Sequence, residues 1–404
     1  PPVSQPYDAN RSTTPVTNRP LTPEEVHWKK ETTVEKTSTL RTLVSPAASP
    51  QSKTHAAMRI LIVTPYFWPS VGGVEKVAET LAIGLKSRGH AVEVATYALS
   101  VRKAKSHRDI PIIDLTFPDD FETTSRHSLL EVKRLLESGQ YGACILLGAP
   151  LHLMFYAPLA ISKNCPTRFI LQPTINKEID ESLQGSEQGR AMLSQLGKRV
   201  HAVVTFGGKG YDEQFFRERN IPTCVIPNGT ATLAPKEDFR QRYGIARETF
   251  LVIHLANLYT VKNHLGLLDA LEQLPQGVQL VLIGNDTPDI EYVEAVKARL
   301  TSRPDVRLLA GLDYADVASA LTAADLVVLA SHAEVSPLCL LEAMSAGRPW
   351  LATPDCGTAT EHAGGLVLPL SHFGPAVRLL KQHPEFCAEL GRLGREHWAQ
   401  SHDW

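Results

Sequence analysis

The strongest constraint on the fold is a repeated pattern in which short apolar runs of strand length alternate with stretches of helical periodicity. The first run, "RILIVT" at 59–64, is followed by a glycine-containing loop and by an amphipathic segment that ends at Gly89. Short buried strands separated by helices are typical of a parallel sheet that is covered on both faces. The pattern therefore predicts an α/β protein.

The predicted strands fall into two series, which indicates two domains. The strands of the first series lie at 59–64, 91–97, 143–148, 168–173, 201–206 and 223–228, and those of the second lie at 250–256, 279–284, 306–311, 325–331, 349–353 and 365–370. Each series is long enough for a doubly wound sheet, which binds ligands at the carboxyl ends of its strands. We therefore predict two facing Rossmann-like domains, at 58–232 and 233–404, with a ligand cleft between them.

Residues 1–57 differ in composition from the rest of the chain. They contain no Gly, Cys, Ile, Phe or Met, and they are dense in Ser, Thr and Pro. Such a segment buries too little apolar surface to offset the entropy that ordering would cost. We therefore predict a disordered N-terminal extension.

The composition of the whole chain argues against several classes of protein. The 404 residues are 43% hydrophobic and 21% charged, which suits a globular protein with two cores. The net charge of −2 gives no basic balance for binding nucleic acid. The six cysteines are scattered, which indicates reduced thiols rather than disulfides or zinc ligands. No apolar run approaches the roughly 18–20 residues of a membrane-spanning helix, and we predict a cytoplasmic protein.

Three loops that follow predicted strands contain residues suited to a ligand. Gly72 and Gly73, in "PYFWPSVGGVEK", let the backbone approach a ligand and begin a helix, although an ordinary strand-to-helix turn explains them equally well. They do not form the Gly-x-Gly-x-x-Gly pattern of dinucleotide sites. Lys262, in "LANLYTVKNHLGLL", is either a ligand for a phosphate oxygen or a surface lysine. Gly284, in "LIGNDTPD", suits a nucleotide contact or a plain turn.

The stretch "EVSPLCLLEAMSAGRP", at 334–349, predicts a helix that begins at a strand end. Ser336 is a good N-cap, Pro337 fits the first helical position, and Gly347 ends the helix. The unpaired N–H groups near Leu338 and Cys339 would then form an anion site facing the cleft.

Two glutamates of this stretch, Glu334 and Glu342, stand eight positions apart, the first outside the predicted helix and the second inside an apolar run. A buried carboxylate requires a partner. Helical side chains tilt toward the N-terminus, so the side chain of Glu342 should point back toward the cleft. Its partner is either a pair of ligand hydroxyls, such as those of a ribose, or a buried arginine or backbone group.

In this order, the motifs resemble glycosyltransferase family 4, the retaining nucleotide-sugar transferases of the glycosyl transferases group 1, which have the GT-B architecture. The resemblance covers residues 58 to about 404 and rests on "GGVEK", the Lys262 loop, "LIGNDTPD" and the two spaced glutamates. It implies a metal-independent hexosyl- or other glycosyltransferase with no cofactor. The implied partners are a nucleotide-sugar donor and a sugar, lipid-linked or small-molecule acceptor, but no nucleic acid, and a peripheral contact with the inner face of a membrane stays open.

The resemblance also implies roles for single residues. Two of them are catalytic: Lys262 neutralises the diphosphate, and Glu334 holds the transferred sugar and stabilises positive charge on it. Glu342 binds the ribose hydroxyls. The other donor-binding residues that it implies are Gly72, Gly73, Asn257, Gly284, Ser336, Leu338 and Cys339. No metal-binding residue is implied.

The chain departs from the family pattern at several positions. Asn257 stands where the family has an arginine, and Val335 and Pro337 replace glycines. The usual active-site histidine is not evident, because His152 comes late in its loop. The family also has a further helix beyond residue 404, so the C-terminal domain is expected to be truncated. Two alternatives stay open: an inactive nucleotide-sugar-binding scaffold and a related GT-B nucleotide-sugar epimerase.

Overall fold

The computed structural model describes residues 56–116, 123–138, 140–148, 151–175 and 177–404. The described residues lie within one compact unit that contains two sheets. The predicted disordered extension lies outside the described residues, apart from Ala56 and Ala57.

The first sheet has eight strands in the order β3-β4-β2-β1-β5-β6-β7-β8. These strands are β1 (Arg59–Val63), β2 (Ala91–Tyr97), β3 (Ser106–His107), β4 (Ile110–Leu115), β5 (Ala143–Leu147), β6 (Arg168–Gln172), β7 (Ala202–Thr205) and β8 (Thr223–Val225). All neighbours pair in parallel except β3 and β4, which are antiparallel. The direction of winding changes between β1 and β5, and a doubly wound sheet binds ligands at such a point.

Six α-helices accompany the first sheet in the described part of the chain. They are α1 (Gly73–Ser87), α2 (Thr123–Glu137), α3 (Leu151–Ala160), α4 (Lys177–Gly185), α5 (Glu187–Leu196) and α6 (Tyr211–Glu218). Helix α1 begins at Gly73, directly after the loop that leaves β1, as its glycines predicted.

The second sheet has six parallel strands in the order β11-β10-β9-β12-β13-β14. These strands are β9 (Phe250–Leu255), β10 (Val278–Ile283), β11 (Val306–Leu309), β12 (Leu326–Leu329), β13 (Trp350–Ala352) and β14 (Gly365–Val367). Its winding changes between β9 and β12, so the loops after these two strands leave the same edge of the sheet side by side.

The helices of the second half cover both faces of this sheet. They are α7 (Phe239–Tyr243), α8 (His264–Ala270), α9 (Ile290–Leu300), α10 (Tyr314–Ala323), α11 (Leu338–Ser345), α12 (Phe373–Gln382) and α13 (Pro384–Ser401), with short 3₁₀ helices at Thr260–Lys262, Gly357–Glu361 and Leu370–His372. One face packs around Trp350 and the other around Phe373, both fully buried. Burying a large apolar side chain contributes about 1.5–3 kcal/mol.

The predicted two-series α/β organisation is confirmed, and all twelve predicted strands are present. Strands β3 and β4 were not predicted, because β3 has only two residues and β4 contains Pro111. Proline is usually excluded from the interior of a sheet. The C-terminal turn pairs with the connection between the sheets: the Thr230 amide donates to the His402 carbonyl at 2.9 Å. The division at 232/233 stays a prediction.

All six cysteines are unpaired, as their spacing predicted. Among the helices of the described ranges, none combines the length and the apolar character needed to cross a membrane. The cytoplasmic location stays a prediction.

Candidate functional site

The loops after β9 and β12 bring together the two residues that the sequence assigned to catalysis. The Nζ atom of Lys262 lies 2.5 Å from Oε1 of Glu334, although the two residues are 72 positions apart in the chain. The Ser331 hydroxyl donates to the same carboxylate oxygen at 2.7 Å. A lysine and a glutamate are therefore held as one ion pair at the switch point of the second sheet.

Backbone contacts fix the two loops against each other. The His332 amide donates to the Val261 carbonyl at 2.8 Å, and the Asn263 side-chain amide donates to the Ala330 carbonyl at 3.2 Å. Asn263 has the left-handed conformation (φ 56°, ψ 44°) and also caps α8 through the Gly266 amide. Asparagine adopts this conformation and this cap more readily than most residues. The position of Lys262 is therefore set by the fold.

Lys262 is not an ordinary surface lysine, because only 25% of its side chain is exposed. Burial on its own disfavours the charged amine, but the Glu334 carboxylate outweighs it and raises the pKa of Lys262. The amine of Lys262 therefore retains a positive charge near neutral pH for an anionic ligand.

The helix predicted from "EVSPLCLLEAMSAGRP" is present as α11, but its start was wrong by one residue. Pro337, and not Ser336, stands at the N-cap position, and no side chain of the described residues caps the helix. Proline has no N–H group, and the N–H groups at the start of a helix have no partner within it, so proline suits both the N-cap and the first helical position. The amides of Leu338 and Cys339 belong to the first turn and have no partner within the helix. Gly347 ends the helix with a φ of 66°, as predicted.

The approach to α11 is held by the segment after β13. The Glu334 amide donates to the Asp355 carbonyl at 2.9 Å, and the Thr358 amide donates to the Val335 carbonyl at 2.9 Å. Gly357 has a φ of 52°, and a Cβ there would lie 2.1 Å from the Val335 carbonyl oxygen. Only glycine fits this crossing, so the 334–336 loop depends on a residue that the sequence reading did not identify.

Glu342 is 7% exposed, and the hydrogen-bond partner that the described residues give its side chain is Tyr314. Burial raises the pKa of Glu342 to about 7, while a hydrogen bond from the Tyr314 hydroxyl and the charge of Lys76 act in the opposite direction. The pKa of Tyr314 is raised by burial and by the same carboxylate. Because a carboxylate has several acceptor sites, Glu342 can accept further hydrogen bonds from a ligand.

The first domain meets this region through the "GGVEK" loop and helix α1. The Lys76 amine lies 4.8 Å from the centre of the Tyr314 ring, and the Leu338 side chain lies 3.7 Å from where a Cβ on Gly73 would be. The loop after β1 therefore lies opposite the first turn of α11. A Cβ on Gly72 would approach the flexible Glu75 side chain at 2.4 Å.

Asn257 and Gly284 occupy positions that connect loops. The Asn257 side-chain oxygen accepts from the Asn285 amide at 2.9 Å. A Cβ on Gly284 would lie 1.9 Å from the Ala256 carbonyl oxygen, so the crossing of the loops after β9 and β10 requires glycine. Both residues therefore have a structural reason for their identity, and their contact with a donor stays a prediction.

Two histidines beneath Lys262 were missed by the sequence reading. His254 on β9 and His264 on α8 are fully buried, with their rings edge to face and 4.7 Å between centroids. Burial lowers the pKa of His254 to about 3 and that of His264 to about 4, so neither ring carries charge near neutral pH. His152 belongs to α3, but its side chain is not among those described.

The other missed residues are Ser331, Lys76 and Tyr314. Ser331 follows a strand end three positions before Glu334, and Lys76 lies within the quoted "GGVEK" motif, so both positions carried a usable signal. Tyr314 stands at the start of a helix that looks purely structural in the sequence. Its role depends on the packing of α10 against α11, which no local pattern reveals.

Comparison with known proteins locates the site within a known family. Residues 235–364 match the model for "Glycosyl transferases group 1", and this range contains Lys262, Glu334 and Glu342. This part of the chain is therefore similar to the glycosyl transferases group 1, and the match does not extend to the rest of the chain. The predicted resemblance is confirmed at this level, while the narrower assignment to family 4 stays a prediction.

Two relatives illustrate the sequence similarity. The lipopolysaccharide glucosyltransferase WaaG of Escherichia coli K12 is 31% identical over 138 residues, which are 33% of this chain and 34% of the relative. The aligned part thus spans about a third of that relative's length. The N-acetyl-alpha-D-glucosaminyl L-malate synthase of Bacillus anthracis is 24% identical over 307 residues, which are 71% of this chain and 77% of the relative.

Solved structures support the architecture of the whole described chain. HepE of Anabaena, solved with UDP and glucose, superposes with a TM-score of 0.68 at 20% identity, covering 86% of this chain and 96% of that one. The sucrose-phosphate synthase of Thermosynechococcus elongatus gives a TM-score of 0.72 at 19% identity, covering 86% and 95%. The predicted GT-B architecture of two facing Rossmann-like domains is confirmed.

Proposed function

We propose that the chain is a retaining glycosyltransferase that moves a sugar from a nucleotide-diphosphate sugar to an acceptor hydroxyl. One observation carries the proposal: the Lys262–Glu334 ion pair stands at the switch point of the group 1 domain, before a helix whose first-turn amides are unpaired. A cation and a helix N-terminus together suit a diphosphate, and the adjacent carboxylate suits a sugar that becomes positively charged.

The residues of the site have separate roles in this proposal. Lys262 and the amides of Leu338 and Cys339 neutralise the diphosphate as it leaves. Glu334 lies beside the transferred sugar, and Glu342 accepts hydrogen bonds from the ribose hydroxyls. Retention follows if the acceptor hydroxyl attacks from the face that the diphosphate leaves, and the resemblance to family 4 supports this course.

In the proposed reaction, groups of the protein neutralise the negative charge of the donor's diphosphate. Lys262 and the positive end of α11 replace the divalent cation that an Asp-x-Asp motif would hold, and this sequence has no such motif. We therefore expect transfer to be unchanged by EDTA in the assay buffer, measured as release of nucleoside diphosphate. Loss of release on chelation, followed by recovery with Mn²⁺ alone, would contradict metal independence.

Donor binding can be tested with a panel of nucleotide sugars, read by thermal shift of the full chain. At least one UDP-, GDP- or ADP-sugar is expected to raise the melting temperature, because a ligand that binds only the folded state stabilises it. Lys262→Ala is expected to weaken that donor by roughly 10- to 150-fold, which is about 1.5–3 kcal/mol for one charge-assisted contact. Lys297→Ala is the matched control, because Lys297 lies on α9, has 41% of its side chain exposed and pairs with Asp286.

A second candidate function is an inactive nucleotide-sugar-binding scaffold, and the environment of Asn257 favours it. Where the family has an arginine, this side chain is neutral and already bonded to the Asn285 amide. A scaffold would bind the donor and release no nucleoside diphosphate with any acceptor. An epimerase would convert the donor into its epimer without an acceptor and with no net release of nucleoside diphosphate. Release that depends on an acceptor distinguishes a transferase from both.

A further inference from the structure

Three histidines from separate parts of the chain meet near the connection between the two sheets. His362 follows the 3₁₀ helix Gly357–Glu361, His397 lies on α13, and His402 belongs to the C-terminal turn. Their ring centroids are 4.9–5.9 Å apart, and one ring nitrogen from each lies within 4.8 Å of the others. These residues lie outside the Lys262–Glu334 pair, and the proposed transfer reaction does not use them.

His402 has the hydrogen bonding of a metal ligand. Its ring is 5% exposed, and Nδ1 lies 2.6 Å from the Asn228 carbonyl oxygen. Because a carbonyl only accepts, Nδ1 must carry the proton and donate it. The Nε2 atom therefore holds a free lone pair, and a carbonyl behind the ring is a common outer partner of a metal-bound histidine.

His362 leaves a buried nitrogen without a partner. Its Nε2 lies 3.1 Å from the Thr358 hydroxyl oxygen, which can accept a hydrogen bond from the ring N–H. Its Nδ1 is buried and has no hydrogen-bond partner among the described residues. An unpaired buried nitrogen is costly unless something binds it, and a metal ion would satisfy it.

His397 requires one adjustment. Its Nδ1 accepts from the Ala363 amide at 3.1 Å, which places the proton of the neutral ring on Nε2. Coordination through Nδ1 therefore requires this lone pair to be released from the Ala363 amide. The cost is one hydrogen bond, which a coordinate bond replaces.

The three rings are held in the neutral form that coordination needs. Burial lowers the pKa of all three histidines. For His362, burial and the nearby rings of His402 and His397 together lower the pKa to about 3. Neutral imidazole is the form that binds zinc and related transition metals. A neutral ring does not have to lose a proton before the metal binds near pH 7.

We propose that His362, His397 and His402 form a binding site for a divalent transition metal of the zinc class, with water in the fourth position. Three imidazoles suit zinc, copper or nickel better than magnesium or calcium. The metal fastens the 3₁₀ segment and α13 to the C-terminal turn. That turn is itself bonded to Asn228 and Thr230 in the connection between the sheets, so the site stabilises this connection rather than the chemistry.

The test is a titration of ZnCl₂ into the full chain after removal of metal by EDTA dialysis, read by competition with a chromogenic chelator. We expect about one zinc per chain and a higher melting temperature. His362→Ala and His397→Ala are each expected to weaken zinc by more than about 100-fold, beyond the roughly 10- to 100-fold expected for Thr358→Val, which removes only an outer partner. His383→Ala is the matched control, because His383 is exposed and lies at the other end of α13.

Substitution with Co²⁺ gives a second measurement that does not depend on stability. The wild type is expected to develop visible absorption from a histidine-bound cobalt, and His362→Ala and His397→Ala should lack it. If either variant fails to fold by circular dichroism, the corresponding asparagine variant takes its place. The site is excluded if the wild type takes up no zinc in competition with the chelator, or if His383→Ala loses as much affinity as His397→Ala.

Discussion

Replacement of Glu334 by glutamine is expected to lower kcat by about 100-fold or more while leaving the donor KM nearly unchanged. In the proposed reaction, positive charge develops on the sugar as the diphosphate departs. A carboxylate beside that carbon stabilises the transition state more than the ground state, and an amide of the same shape cannot. Such an interaction contributes to the rate and not to ground-state binding.

The geometry of the ion pair makes this substitution informative. One oxygen of Glu334 accepts from both Lys262 and Ser331, so glutamine retains the shape but leaves the lysine charge uncompensated. The measurement is steady-state release of nucleoside diphosphate over a donor titration, with circular dichroism to confirm folding. Glu291→Gln is the control, because Glu291 is exposed in the first turn of α9. A variant with normal kcat and a raised donor KM would place Glu334 in ground-state binding only.

Much of this site could be predicted because parallel strands end at one edge of a sheet. Lys262 follows β9 and Glu334 follows β12, and the strand pattern alone places both at carboxyl ends. The sequence does not show that β9 and β12 are neighbours, which is the reason the two side chains touch. The resemblance supplied the pairing that the periodicity could not.

Contacts between distant helices were out of reach of the sequence. Tyr314 and Glu342 meet because α10 packs beside α11, and Lys76 joins them from the first domain. The histidine cluster depends on the C-terminal turn returning to residues 228–230. In each case the partners are separated by tens of residues in the chain. No helix or strand periodicity in the sequence therefore indicates that they are in contact.

Glu342 should make donor binding depend on pH near neutrality. Its pKa is about 7, because burial penalises the charged form more than Tyr314 and Lys76 favour it. The ionised carboxylate offers both oxygens as charged acceptors to the ribose hydroxyls, whereas the protonated form is a weaker acceptor. The donor dissociation constant is therefore expected to fall as pH rises from 6 to 8, and then to level off.

The Glu342→Gln variant should lose this pH dependence and bind the donor more weakly at pH 8. Loss of hydrogen bonds to a charged acceptor costs about 1.5–3 kcal/mol, or roughly 10- to 150-fold in affinity. Since the ribose does not change during transfer, the donor KM should rise more than kcat falls. Donor titrations of both proteins at several pH values, by calorimetry, measure the difference.

The same carboxylate should reduce stability at higher pH. The folded chain holds the Glu342 proton up to about pH 7, whereas a carboxyl in the unfolded chain loses it near its ordinary pKa of 4.5. Between these values the folded state binds more protons, so the free energy of unfolding falls as pH rises through this window and stays reduced above it. Glu342→Gln removes that loss, and it should be more stable than wild type at pH 8, by about 3.4 kcal/mol at most.

Tyr314→Phe separates this account from a purely structural role of Glu342. The tyrosine hydroxyl stabilises the carboxylate, so removing it raises the pKa of Glu342 further. The midpoint of the pH dependence of donor binding should then move to higher pH, while the affinity at pH 9 approaches that of the wild type. If Glu342 served only to pack α11, the midpoint would not follow Tyr314, and Glu342→Gln would change stability while leaving donor affinity the same at every pH.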